Sequence, residues 1–200
     1  MLQRLLQSGL AVLGLSQLVA LGWILLCWLV WCLAFIRPRK LAADQKTIAT
    51  APKSRTGIFF NFLGFACIFA WVRPVGFVKL LPELAIGSLL APFCVILAWK
   101  ATHHLGKQWR FAAAITSGHE LITTGPYAAV RHPIYASMLG MLLATGLVYA
   151  WWPLLVTGLL LFLIGIEIRI RAEERLLEAY FQDEFLEWRE HTKAYIRFIR

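Results

Sequence analysis

The sequence predicts an all-α integral membrane protein, one bundle of about five transmembrane helices closed by a C-terminal amphipathic helix. Three observations carry this. Hydrophobic residues make up 60% of the 200 and charged residues 16%, whereas soluble domains run near ~45–50% and ~25%. Five apolar segments approach the ~17–25 residues that a helix needs to cross a bilayer. The basic residues fall in blocks between those segments, the pattern that reports membrane orientation. The same composition excludes disorder and disulfide scaffolds. The net charge of +9 does not signal nucleic acid, because no basic stripe lies on a water-soluble element.

The expected spans are residues 9–36, 57–72, 81–99, 133–152 and 153–168. The first is too long for a signal-peptide core, and no small-residue cleavage site follows it. The second is short and aromatic, with Asn61 inside it. The third holds Pro92, an expected kink. Trp151-Trp152-Pro153 separates the last two, which predicts a tight helical hairpin with an aromatic turn at one interface. With five spans, seventeen of the 20 Lys and Arg residues fall on one side, while Arg4, Arg73 and Lys79 fall on the other. The N-terminus is therefore expected outside and the C-terminus in the cytoplasm. Short loops and the lack of a retention signal point to a bacterial inner membrane. The chain reads as a single membrane domain, 1–200, with three spans in 1–104 and the hairpin and tail in 105–200.

Ala136, Gly140 and Ala144 recur every fourth residue on the fourth span, a spacing that lets helix backbones approach closely. Cys27, Cys32, Cys67 and Cys94 all lie in apolar runs and form no CxxC pair, so they read as packing residues. Adjacent side chains on a helix do not face each other, so His103-His104 is no metal pair, and no metal site is expected.

Polar chemistry collects in two stretches. Residues 102–135 form the longest segment between apolar runs, containing His103, His104, His119, Glu120, Thr123, Thr124, Tyr127, Arg131 and His132. Its aromatic and apolar content predicts that it lies against the membrane or folds back on the bundle. Gly125-Pro126 marks a turn. Pro133 drives His132 out of helical geometry and starts the fourth span. The free N–H groups at that helix start suit a carboxylate or phosphate. The second stretch, at the end of the fifth span, holds Glu167, Arg169, Arg171, Glu173, Glu174 and Arg175. Ionisable residues beside a span are functional candidates. Glu167 with Arg171 and Arg169 with Glu173 are also i,i+4 neighbours, so plain interfacial ion pairs are an equal alternative. Beyond them Leu177, Phe181, Phe185 and Trp188 recur at helical spacing, an amphipathic face for the membrane or for the mouth of the bundle.

The ordered set His119-Glu120-Leu121-Ile122-Thr123-Thr124-Gly125-Pro126-Tyr127, then Val130-Arg131-His132-Pro133-Ile134-Tyr135, then Glu173-Glu174 resembles the signature of the isoprenylcysteine carboxyl methyltransferase family, related to phospholipid methyltransferases. The resemblance runs from about Leu105 onward, with departures at Ser137 and Phe185. It implies a helical bundle with a cytoplasmic pocket for S-adenosylmethionine, lined by His119, Glu120, Leu121, Ile122, Tyr127, His132, Pro133, Ile134 and Tyr135, with Glu173 and Glu174 at polar groups of the cofactor. Arg169 would orient the methyl acceptor, with His132 beside it. The implied partners are a lipophilic acceptor, such as the carboxylate of an isoprenylated cysteine, and membrane lipids, with no nucleic acid. Methyl transfer from a sulfonium needs alignment above all, and a carboxylate acceptor needs no general base. Three alternatives stand beside this: a phospholipid amine methyltransferase with His132 or Glu174 as base, a sterol-type membrane reductase using NADPH at Arg169, Arg171 and Arg175, and a non-catalytic interaction protein. The oligomeric state is set by none of these motifs.

Overall fold

The computed structural model describes residues 2–36, 46–70 and 79–195, with side chains from residue 14 onward. The expected end of the second span at 71–72, and the basic residues Arg37, Arg39, Lys40, Arg73, Arg197 and Arg200, lie outside the described residues. Helix α1 spans Leu2–Leu33. Strand β1, Thr47–Thr50, leads into helix α2, Ser54–Phe69. Helix α3 runs over Leu81–Leu105 and ends in a 3-10 turn at Gly106–Gln108. Strand β2, Ala114–Thr116, and the short helix α4, Pro126–Ala129, follow. Helix α5 is Pro133–Tyr149, α6 is Trp152–Phe181 and α7 is Asp183–His191.

Three helical stretches are long and apolar enough to cross a membrane: Gly14–Leu33, Leu81–Gln108 and Trp152–Phe181. Helices α2 and α5 are equally apolar but shorter, with 16 and 17 residues. At 1.5 Å per residue each reaches ~24–26 Å, less than the ~30 Å of a hydrocarbon core. The five expected segments are thus all helical, and three have full spanning length. Their outer bounds differ from expectation where helices outrun their apolar windows. Pro92 stands inside α3, which continues through it to Leu105. The fifth segment is only the first half of α6, which carries on through Glu167–Glu174 as one helix of 30 residues.

The bundle is assembled by close backbone contacts and by indole hydrogen bonds. A Cβ on Gly64 would stand 2.8 Å from the Gly158 carbonyl, and one on Gly165 would stand 2.7 Å from the Gly57 carbonyl, so α2 lies directly against α6. A Cβ on Gly87 would stand 2.7 Å from the Ala144 carbonyl, and Gly140 abuts Cys94. The small residues Gly140 and Ala144 therefore let α5 approach α3, as their spacing predicts. Trp28 Nε1 donates to Thr145 Oγ1 at 2.9 Å and Trp31 Nε1 to Ser137 Oγ at 3.3 Å, which ties α1 to α5. Side chains of α5 take part in both cores: Met141, Ala144 and Val148 pack with α1 and α3, while Tyr135 and Leu142 pack with α2 and α6.

One element corrects the all-helical expectation. The 102–135 segment is no plain loop: its first residues belong to α3, and β1 pairs antiparallel with β2 in the register Thr47↔Thr116, Ala49↔Ile115 and Thr50↔Ala114. The sequence Thr-Ile-Ala-Thr is rich in the β-branched residues that suit a pleated edge. The pair is too short to show alternation, which is why hydropathy did not reveal it. Ile115 and Thr116 are buried, so the ribbon holds the chain down across one end of the bundle.

Candidate functional site

The polar residues converge at the end of the bundle where α5 begins and α6 passes out of its apolar stretch. Gly125 adopts φ +61 just before Pro126, a conformation that favours glycine. The His104 ring also occupies the space a Cβ there would need. This turn sets α4, whose Tyr127 is buried. Pro133 is the first residue of α5, and His132 before it has φ −126 and ψ 61, outside helical geometry as the Pro rule requires.

Around His132 the charges are paired. Arg131 donates from Nε and Nη2 to Glu174 Oε1, at 3.0 and 2.8 Å. Its Nη1 donates to the Arg189 carbonyl at 3.1 Å and also to that of Thr192. His132 Nε2 stands 3.3 Å from Glu174 Oε1, and Nδ1 stands 3.6 Å from Glu173 Oε2. The Tyr135 hydroxyl donates to Glu173 Oε1. Burial disfavours a charge on His132, but the hydrogen bonds and charges of Glu173 and Glu174 outweigh it and raise the pKa above the ordinary 6.5. The C-terminal segment completes the frame. Arg131 N donates to the Lys193 carbonyl at 2.8 Å and His132 N to that of Ala194 at 2.7 Å. Ala194 is fully buried.

Arg169 is held separately, by α2 and the segment before β2. Its Nη2 donates to the Phe111 carbonyl at 2.8 Å and its Nη1 to Asn61 Oδ1 at 3.4 Å. Asn61 is itself fixed by donating to the Phe162 carbonyl at 3.0 Å. The guanidinium lies 4.7 Å from the centre of the Tyr135 ring, a cation–π distance. Arg169 is thus 5% exposed and tied across helices, not simply paired along its own. The interfacial ion-pair alternative fits Glu167 with Arg171, where the contact is 2.6 Å and Arg171 is 63% exposed.

A cavity of about 440 Å³ opens among these groups, within the ~300–1,000 Å³ usual for small-molecule sites. Its lining includes His119, Glu120, Leu121, Ile122, Tyr127, His132, Pro133, Ile134, Tyr135, Arg169 and Glu173. Every sequence-named site residue is there except Glu174, which stands behind the wall and braces Arg131 and His132. Sequence reasoning missed Gln108 and Arg110, isolated polar residues among aromatics. It also missed Trp31 and Cys32 at the end of α1 and Phe35 and Ile36 just after it, which supply an apolar side of the cavity.

The cavity wall carries unsatisfied polar groups. Among the described residues, seven buried side-chain atoms lack a hydrogen-bond partner. Six of them, on Gln108, Arg110, Tyr127, Arg169 and Trp188, belong to this lining. Leaving a buried donor or acceptor unpaired costs ~1–3 kcal/mol, so such a cluster calls for partners of the kind that ordered water or a polar ligand supplies. Burial, and then the Glu173 charge, push the Tyr127 phenol far above its ordinary range, so it acts as a neutral donor. Among the described residues no group of His, Cys, Asp and Glu is arranged for a metal.

The fold and site define an integral membrane protein with a donor-rich small-molecule cavity at one end of a helical bundle. Residues 85–179 match the model of the isoprenylcysteine carboxyl methyltransferase (ICMT) family, so that stretch is similar to a family of membrane methyltransferases. The match contains α5, the whole of the His119–Tyr135 segment and both glutamates. A curated relative, the uncharacterized protein YpbQ of Bacillus subtilis (strain 168), is 28% identical over 97 residues, 48% of this chain. The chain spans 57% of the length of that relative.

Proposed function

We propose that the protein transfers a methyl group from S-adenosylmethionine to a lipophilic acceptor, in particular the carboxylate of an isoprenylated cysteine. The observation that carries this is the gathering of six unpartnered polar atoms, the Glu173 carboxylate and the Arg169 guanidinium around one cavity in the family-matched half. The residues fit the cofactor. Glu173 suits its ammonium or ribose hydroxyls, and His119–Ile122, Tyr127 and His132–Tyr135 supply the surrounding wall. When bound, the cofactor supplies a methyl group on a sulfonium, already activated for displacement.

The chain's part is alignment. Arg169 presents a guanidinium fixed by Phe111 and Asn61, and such a group orients a carboxylate by a bidentate pair. A carboxylate oxygen attacks without prior loss of a proton, so no base is required. The bound cofactor would supply both the methyl group and a neutral thioether leaving group, and Arg169 would hold the acceptor's oxygen in line with them. Tyr135, between Arg169 and Glu173, separates the acceptor's anion from the cavity's own carboxylate. The apolar side chains of α1 suit a lipid tail. On this reading the cavity faces the cytoplasm of a bacterial inner membrane, with five spans and the N-terminus outside.

Calorimetry on detergent-purified protein, comparing S-adenosylmethionine with NADPH, tests the proposal. Micromolar binding of the first alone, lost at least tenfold in Glu173→Ala while the protein stays folded, is the expected outcome. Binding of NADPH alone overturns it in favour of a reductase. Binding of neither to folded protein overturns it in favour of a non-catalytic role.

A further inference from the structure

Three arginines line this cavity: Arg131 is committed to Glu174 and to the Arg189 and Thr192 carbonyls, Arg169 has a part in the reaction as described, and Arg110 has none. Arg110 comes from the segment between α3 and β2. Its Nη1 donates to the carbonyls of Lys107 and Trp109, both at 2.7 Å, so the head group is held in one orientation by its own turn. Its Nη2 is shut off from solvent and has no hydrogen-bond partner among the described residues. The side chain lines the cavity together with His119, Glu120 and Trp188, whose indole N–H is also buried without a partner. Half of a guanidinium fork is therefore aimed, desolvated and unused. The group that satisfies it best is a carboxylate, through short charge-assisted hydrogen bonds.

The two cations sit in different surroundings. Arg169 is enclosed by Tyr135, Phe111 and Asn61. Arg110 acts electrostatically on His119, whose pKa is lowered by burial first and by the Arg110 charge second, with Glu120 opposing. A cation and an acid thus both act on His119, and a buried indole donor lines the same cavity, groups that complement a zwitterionic amino-acid end. Methyl transfer between S-adenosylmethionine and a carboxylate acceptor brings two carboxylates into one cavity, and of the three arginines lining it Arg131 is already paired with Glu174, which leaves Arg110 and Arg169 without a carboxylate partner among the described residues.

We propose that Arg110 binds the carboxylate at the amino-acid end of the cofactor, leaving Arg169 to the carboxylate of the acceptor. This rests on the methyl-transfer reading above. It assigns a ligand contact to a residue outside the ordered motifs.

The test is calorimetry with S-adenosylmethionine and with its decarboxylated analogue, on the wild type, Arg110→Met, Arg110→Lys and Arg169→Met, each first shown to melt cooperatively in detergent. The wild type is expected to favour S-adenosylmethionine by about tenfold or more, the scale of a charge-assisted hydrogen bond. Arg110→Met abolishes that preference by weakening S-adenosylmethionine alone, Arg110→Lys restores part of it, and Arg169→Met keeps it. The inference is overturned if the preference survives Arg110→Met, if both ligands weaken equally there, or if Arg169→Met is the variant that erases it. A wild type that binds neither compound removes the methyl-transfer reading, and this inference with it. A wild type that binds both compounds equally overturns the inference and leaves that reading in place.

Discussion

His132 is the residue whose surroundings leave the clearest mark on measurable behaviour. Each ring nitrogen faces a carboxylate, Glu173 at 3.6 Å and Glu174 at 3.3 Å, so the protonated ring satisfies both and the neutral ring only one. A histidine whose pKa is raised on folding adds stability that is complete below its unfolded value, 6.5 here, and fades as pH climbs through the higher folded value. Thermal melts of the wild type and His132→Asn in detergent should therefore differ most below about pH 6.5 and converge on the alkaline side. A gap that widens with pH would refute the doubly paired imidazolium. Much of this centre was legible in the order of residues. Pro133 dictates the geometry of His132, and the family resemblance implied that His132 and Glu173-Glu174 line one pocket. The division of labour between the glutamates was not legible. Adjacent residues on a helix point about 100° apart, and only the packing of the C-terminal segment decides that Glu173 faces the cavity while Glu174 faces Arg131.

Helix pairing depends on missing side chains. The backbones of α2 and α6 meet at Gly57, Gly64, Gly158 and Gly165, and this contact fixes Asn61, which in turn fixes Arg169. Gly64→Val should cost about 1–3 kcal/mol, as over-packing does, and should also weaken the acceptor's apparent affinity by moving Asn61. Gly22→Ala, where nothing lies within 4 Å, should be neutral or raise stability by up to ~1 kcal/mol through helix propensity. Chemical denaturation in mixed micelles distinguishes the two, and equal effects would show that the glycines are not packing sites. The apolar helices were legible because hydropathy tracks their burial in lipid. The four-residue strands were not, because nothing so short shows a period, and their pairing joins residues nearly seventy positions apart. The break at Gln182, with φ +50, was hidden as well, since neither Gly nor Pro marks it.

Across the whole molecule, the charge distribution and the site make one joint prediction. If the basic blocks lie in the cytoplasm, so does the cavity. A cysteine placed at Ser117, in a background free of native cysteines, should react with a membrane-impermeant maleimide only in inside-out vesicles. One placed at Trp152, beside the hairpin turn, should react only in right-side-out vesicles, and the reverse pattern would invert the assignment. The length of α6 has a further consequence. Its 30 residues extend ~45 Å, and the same unbroken rod carries both the exposed apolar Leu160 and Ile164 and the cavity-lining Arg169 and Glu173. On the methyl-transfer proposal, bilayer thickness would thereby be coupled to the depth at which the acceptor is met. Methyl transfer in vesicles of graded acyl-chain length should pass through an optimum, falling on both sides as the rod tilts or the bilayer deforms to match it. For this protein the lipid would be a kinetic variable as well as a solvent.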